Sequence, residues 1–239
     1  NNEADSTQDI ADSIAAVSPS DAPFNLLGAA QKGPLVFGSR VWVTELDSNL
    51  TSNGNTYLSQ IDDYTGTFRI ENQIGTELVE IVASGYYFDE ISGELSNSPI
   101  TLSAIANLAV DTTPTVNVLT TIQAPRLKQL IRSGLSYQDA QLQSSDELLG
   151  IFGIDSQDIE GFSALHAMSL TGSSDQDSVL LATTSLVSQI STTKSDESAQ
   201  ESLAQAASQA AEMSLLISEM SSDLSDNGVV DNSRIIADV

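Results

Sequence analysis

A chain of 239 residues, 40% of them apolar, is long and apolar enough to bury one or two packed cores, which argues against a disordered polymer. Its 33 acids against 8 lysines and arginines give a formal charge of −25, which repels phosphate backbones and anionic membrane surfaces and argues against nucleic acid as a partner. With no cysteine, disulfides, thiolate metal sites and cysteine nucleophiles are excluded, and no run approaches the roughly 20 apolar residues that would span a bilayer.

The chain opens on "NNEADSTQD", the polar start expected of a processed terminus, and residues 1–30 read as a polar tether or arm with a short apolar spacing at Ile10, Ile14 and Val17 before Pro19 and Pro23. Such an arm is expected to dock by strand addition on a sheet edge of its own molecule or of a neighbouring subunit. From Gly33 the composition turns to β-branched and aromatic residues. Arg40, Trp42 and Thr44 alternate with Val41 and Val43, as in a strand with one face buried.

"SNGN" reads as a turn before the strand "TYLSQID", and "DDYTG" as a turn before "TFRIEN". "TELVEIVASGYYF" is the longest predicted strand, and "ITLSAIANLAV" follows. Several short strands punctuated by Gly and Asn point to an antiparallel β-sandwich over 31–117.

Helical spacing occupies 118–239. Leu119, Ile122, Leu127, Leu130 and Ile131 share one side, with Pro125 expected to open a new turn. Ser136 and Asp139 form a cap for a second helix that buries Ala140, Leu148, Leu149 and Phe152. Shorter helical segments follow around 160–170 and 177–193, and Ser195 is the predicted N-cap of a long last helix. Along that helix Leu203, Ala206, Ala210, Met213, Ile217, Met220 and Leu224 make a heptad seam, read as part of an intrachain bundle. The predicted fold class is α+β, an N-terminal antiparallel β-sandwich followed by an α-helical bundle.

Three places carry candidate chemistry. "DLSDNGVVDNSR" matches a calcium loop at Asp223, Ser225, Asn227 and Asp231, with the Val229 carbonyl between them and Gly228 at the bend. Arg234 stands where a bidentate glutamate belongs, so weak calcium binding is the most this degenerate loop allows, and a helix C-cap is the competing reading. No other cofactor is expected. Trp42, Tyr86, Tyr87 and Phe88 are a candidate ring platform for a ligand such as a glycan, although alternation sends some of these rings into the core. His166 is the only histidine and is expected to be structural; a hydrolase would need it to meet a serine and an acid in one cleft. The acidic neighbours Asp62-Asp63, Asp89-Glu90, Asp146-Glu147 and Asp196-Glu197 read as solvated surface.

"GAAQKGPLVFGSRVWVTELD", "TYLSQIDDYTGTFRI", "ASGYYFDEISGELSNSPITLSAIANL" and "NVLTTIQAPRLKQLIRSGLSYQDAQLQSSDELLGIFGI" resemble an uncharacterised family of bacterial cell-surface lipoproteins over about 28–154. Within it, Asp62, Gly66 and Phe68, with Gly85-Tyr86 ending a later strand, resemble carboxypeptidase-regulatory or transthyretin-like sandwiches. The resemblance implies a lipid-modified cysteine just before residue 1 and an extracellular or cell-surface location. The function expected is a non-enzymatic surface module for adhesion, scaffolding or self-assembly, whose partners are other copies of itself or surface proteins. A glycan- or calcium-binding module is the alternative, and a hydrolase the third.

Overall fold

The computed structural model describes residues 23–89, 92–111, 113–198 and 202–231, the side chains at 72, 194–198 and 202–210 excepted. Strands come first and helices after, as the α+β reading requires. Strands β1 (Phe24–Gln31), β4 (Thr67–Ile74) and β7 (Thr115–Asn117) form one sheet in the order β4-β1-β7. The other sheet has the order β3-β2-β5-β6, from β2 (Arg40–Leu46), β3 (Ser52–Gln60), β5 (Leu78–Gly85) and β6 (Ile100–Asn107). All pairs are antiparallel except β1 with β7, which run parallel.

The two sheets face each other over one core. Val41, Val43, Ile81, Leu102 and Ala104 supply one wall and Leu26, Phe68, Ile70 and Val116 the other, every one buried. Period-two alternation produces this: the residues between them on β2 (Arg40, Trp42 and Thr44) turn outward. Gly28 is crowded by its neighbours in its own sheet, for a Cβ there would sit 2.5 Å from Cζ of Phe68, its partner on β4, and 2.9 Å from the Pro114 carbonyl oxygen just before β7. Gly28→Ala is therefore expected to cost about 1–3 kcal/mol, measured by denaturant unfolding, although β1 would otherwise favour a side chain.

Strand β1 takes residues 24–30 out of the stretch expected to be a polar arm and adds them to the sandwich; residues 1–22 lie outside the described residues. "SNGN" is not a turn but the first half of β3. The turn lies earlier, where Asp47 Oδ1 accepts from the Asn49 and Thr51 amides, at 2.8 and 2.9 Å, and Leu50 takes φ +55°. What extends the strand is Glu45, buried on β2, whose carboxylate accepts from Asn53 Nδ2, Asn55 Nδ2 and the Tyr57 hydroxyl at 2.7, 2.9 and 2.8 Å, and from the Gly75 amide at 2.6 Å. A bulge at this point, between Thr44 and Leu46, brings the two asparagines onto it.

Helix α1 (Val118–Arg132) starts at Asn117 with a reciprocal cap to Thr120 and buries Leu119, Ile122, Leu127, Leu130 and Ile131. Pro125 does not begin a new turn; it sits inside α1. A mid-helix proline frees the carbonyl four residues back, and here the Ser221 hydroxyl donates to that Thr121 oxygen at 3.4 Å. Helix α2 (Tyr137–Ile151) is capped by Ser136, whose Oγ accepts from the Asp139 amide. Arg126 of α1 and Glu147 of α2 form a two-pronged pair, both bonds 2.7 Å.

Helix α3 (Asp175–Ser198) runs through Ser195, and α4 (Ser202–Asn227) starts later, so Ser195 is no N-cap and residues 196 and 197 fall in the last turn of α3. Helix α4 packs against α1 and α3, and Met213, Ile217, Met220 and Leu224 are buried, which makes the seam intrachain. The other seam side chains, Leu203, Ala206 and Ala210, lie outside those described.

The core passes without interruption from sandwich to bundle through Val118, Leu119 and Ile122. On the outer face of the four-stranded sheet, α1 covers β6 by packing on Ile105, and Lys128 reaches Glu80 of β5 at 2.7 Å. Among the described residues no helix packs on the rest of that face. Among the described residues no helix is long and apolar enough to cross a membrane.

Candidate functional site

The uncovered outer face is where the predicted rings gather. Trp42 stands at the centre of β2, opposite Leu58 of β3 on one side and Val82 of β5 on the other. Cross-strand partners share a face, so these three form an apolar row, with Leu58 74% exposed. Beyond Gly85 the alternation continues: Tyr86 and Phe88 are exposed, while Tyr87 turns inward and is buried opposite Leu35. Leu95, 52% exposed, pairs with Phe88 and extends the row. The structure thus brings Trp42, Tyr86 and Phe88 to one side of the sheet and removes Tyr87 from it.

Tyr87 has a different task. Lys32, fully buried, places Nζ 5.1 Å from the centre of the Tyr87 ring and 3.0 Å from Asp89 Oδ2, and reaches Ser188 Oγ of α3 at 3.3 Å. Burial pushes the Asp89 carboxyl up, but the Ser92 amide and the Lys32 charge outweigh it and hold the group below its ordinary range.

The Asp223 stretch is helical over three of its four candidate ligands, since Asp223, Ser225 and Asn227 belong to α4. Their oxygens serve the helix end: Asn227 Oδ1 accepts from the Val229 amide at 2.9 Å, Asp223 Oδ2 from the Asp231 amide at 2.7 Å, and the Ser225 hydroxyl donates to the Ser222 carbonyl. Gly228, at φ +81°, makes the left-handed turn and lies against the Arg126–Glu147 pair, where a Cβ would come within 2.5 Å of Glu147. Arg234 lies outside the described residues. Among the described residues no group of three or more His, Asp or Glu side chains is arranged to hold a metal ion.

His166 is not isolated. It sits in a single 3-10 turn, Leu165–Ala167, whose Leu165 carbonyl is held by the Asn117 side chain. Its Nε2 lies 2.8 Å from Asp111 Oδ1, in the loop after β6, and the Tyr137 hydroxyl donates to the other Asp111 oxygen at 3.0 Å. The Asn107 amide donates to the same oxygen at 2.6 Å. Burial would raise the Asp111 carboxyl; its bonds to His166, Asn107 and Tyr137 bring it down, and burial together with the Asp111 charge pushes the Tyr137 phenol up. His166 Nε2 faces the Asp111 carboxylate, and Nδ1 lies 3.3 Å from the Gln141 amide nitrogen.

No protein-family model, no curated protein and no solved structure matches this chain. The roles of its residues therefore rest on geometry. Of the acidic neighbours, Asp62 binds Arg69, Glu147 binds Arg126 and Asp146 accepts from Ser156, so these are ties within the fold. Around His166 an acid and a phenol converge, and Ser163 lines the same cleft. An acyl-transfer triad directs the second ring nitrogen at a hydroxyl; here it meets Gln141. Sequence reading missed Asp111 and Tyr137 because 55 and 29 residues separate them from His166 and no local pattern links the three.

Proposed function

We propose that this chain is a non-enzymatic surface module that works by contact, associating with further copies of itself through the outer face of the four-stranded sheet. One observation carries the reading: Leu58, Tyr86, Phe88 and Leu95 are exposed, and Trp42, half-buried, stands beside Leu58 on the outer side of the sheet. Apolar rows of this kind mark contact surfaces. Around Trp42 and Leu58 the face carries little charge, since Glu80 is paired to Lys128 and positions 40, 42, 44, 56, 58, 82, 84 and 86 carry no carboxylate. With a net charge of −25, two copies repel least where this face meets its mate. A bacterial cell-surface location, with a lipid anchor ahead of residue 1, rests on the resemblance of the segments quoted above.

Trp42 is the only tryptophan, so its fluorescence reads this face directly. Raising the protein concentration is expected to shift its emission to the blue and to protect it from quenching by acrylamide, more at high salt than at low salt. Emission independent of concentration rejects the proposal. A second reading, stacking of a glycan on Trp42 and Tyr86, is favoured by their outward rings. It predicts an emission change on adding saccharide that does not depend on protein concentration.

A further inference from the structure

The cleft that His166 lines is about 520 Å³ in volume, a size that suits a small molecule. Its inner end is polar and buried. His166 and Gln141 are more than nine-tenths buried, and Asp111 holds a negative charge there between the His166 ring, the Tyr137 hydroxyl and the Asn107 amide. Gln141 lies in this wall with its Nε2 on His166, while its Oε1, also buried, accepts no hydrogen bond from the protein. An acceptor buried without a donor is unfavourable, and a donor brought by a ligand would relieve it.

The mouth is the opposite. Val110 is 67% exposed and Leu142 45% exposed, and Ala167 of the same lining is exposed as well. A ligand with an apolar body covers these residues while its polar end reaches inward. Charge then selects the polar end. Asp111 is the charged acid of the lining, none of the lining residues is Lys or Arg, and the chain as a whole carries −25. An anion is repelled, and a group with several N–H donors and a positive charge is drawn in.

We propose that this cleft binds a small organic cation, an ammonium group carried on an apolar body, with the ammonium donating towards Asp111 and Gln141 and the body resting on Val110 and Leu142. The site is separate from the outer sheet face and does not depend on association through it.

His166 is the one histidine, so the full chain gives a single set of imidazole resonances. Three probes of one shape separate the terms: benzylammonium, benzyl alcohol and benzoate, each titrated while the His166 resonances are followed. Benzylammonium is expected to shift them saturably, the alcohol to bind at least about 10-fold more weakly, and benzoate to leave them unmoved. Leu142→Arg, a change at the exposed rim that keeps the unfolding midpoint, is expected to weaken benzylammonium by about 10-fold or more through charge repulsion. The proposal is overturned by the absence of saturation with benzylammonium, by equal binding of the alcohol or the anion, or by an unchanged affinity in Leu142→Arg.

Discussion

Replacing Lys32 with alanine is expected to destabilise the chain by about 3–5 kcal/mol, because it removes one partner of a buried ion pair and opens a cavity beneath Tyr87. For a chain of this size that is a fall of roughly 10 °C in unfolding midpoint. Lys32→Met keeps most of the volume and part of the contact with the Tyr87 ring, so it should cost distinctly less, about 1–2 kcal/mol, since Asp89 is 20% exposed and water can solvate it. Because Lys32 also reaches Ser188 of α3, the alanine variant should loosen sandwich and bundle together. Trp42 fluorescence and helical circular dichroism, followed in one thermal melt, should then fall in a single transition. Equal losses for alanine and methionine would reject the cavity beneath Tyr87 as the source of the difference and leave the broken ion pair alone to account for the effect.

Acid is expected to weaken the fold through Glu45. Burial would raise this carboxyl, but the bonds from Asn53, Asn55, the Gly75 amide and Tyr57 outweigh it and hold it at about 2, against an ordinary value of 4.5. A group depressed in the folded state stabilises above its unfolded value, and that stability is lost as pH falls through the folded one. Glu45 therefore contributes about 3 kcal/mol at neutral pH, which disappears between about pH 4.5 and pH 2. Asp63, held at about 2 by Thr65 and Thr67, adds to the same window. Glu45→Gln isolates the first contribution: its deficit against the natural chain, measured by denaturant unfolding, should be largest at pH 7 and close towards pH 2. A deficit independent of pH would show that packing rather than charge at Glu45 holds β3. The result bears on the contact face as well, because Leu58 is carried by the strand that Glu45 ties down.

Much of the fold is legible in the sequence because burial repeats with the period of each element. Val41 and Val43 against Trp42 and Thr44 specify the inner and outer faces of β2, and Leu119, Ile122, Leu127 and Leu130 specify the inner side of α1. The failures have one physical origin, a distant partner. "SNGN" carries every mark of a turn, and becomes strand because Glu45, eight and ten residues away in sequence, takes both asparagine amides. Pro125 remains inside α1 because Ser221, on another helix, donates to the carbonyl it frees.

The candidate sites divide the same way. That Trp42 and Tyr86 share an outward face while Tyr87 turns in follows from alternation alone. The gathering of Asp111, Tyr137, Gln141 and His166 does not, for a loop, two positions on α2 and a 3-10 turn meet only in three dimensions. The Asp223 stretch shows how one composition suits two structures: Asp, Ser, Asn and Gly serve a metal loop and a helix end alike, and here the first three candidate ligands are wound into α4.

Sedimentation equilibrium of the chain beside Leu58→Asp, at low and high salt, tests the contact reading most directly. Leu58 is exposed, so the substitution leaves the core intact while adding a charge at the middle of the face. The account predicts that the natural chain self-associates, more tightly as salt screens its charge, and that Leu58→Asp stays monomeric under the same conditions. A natural chain that remains monomeric at high concentration in both salts, or a Leu58→Asp variant that associates equally well, would contradict it.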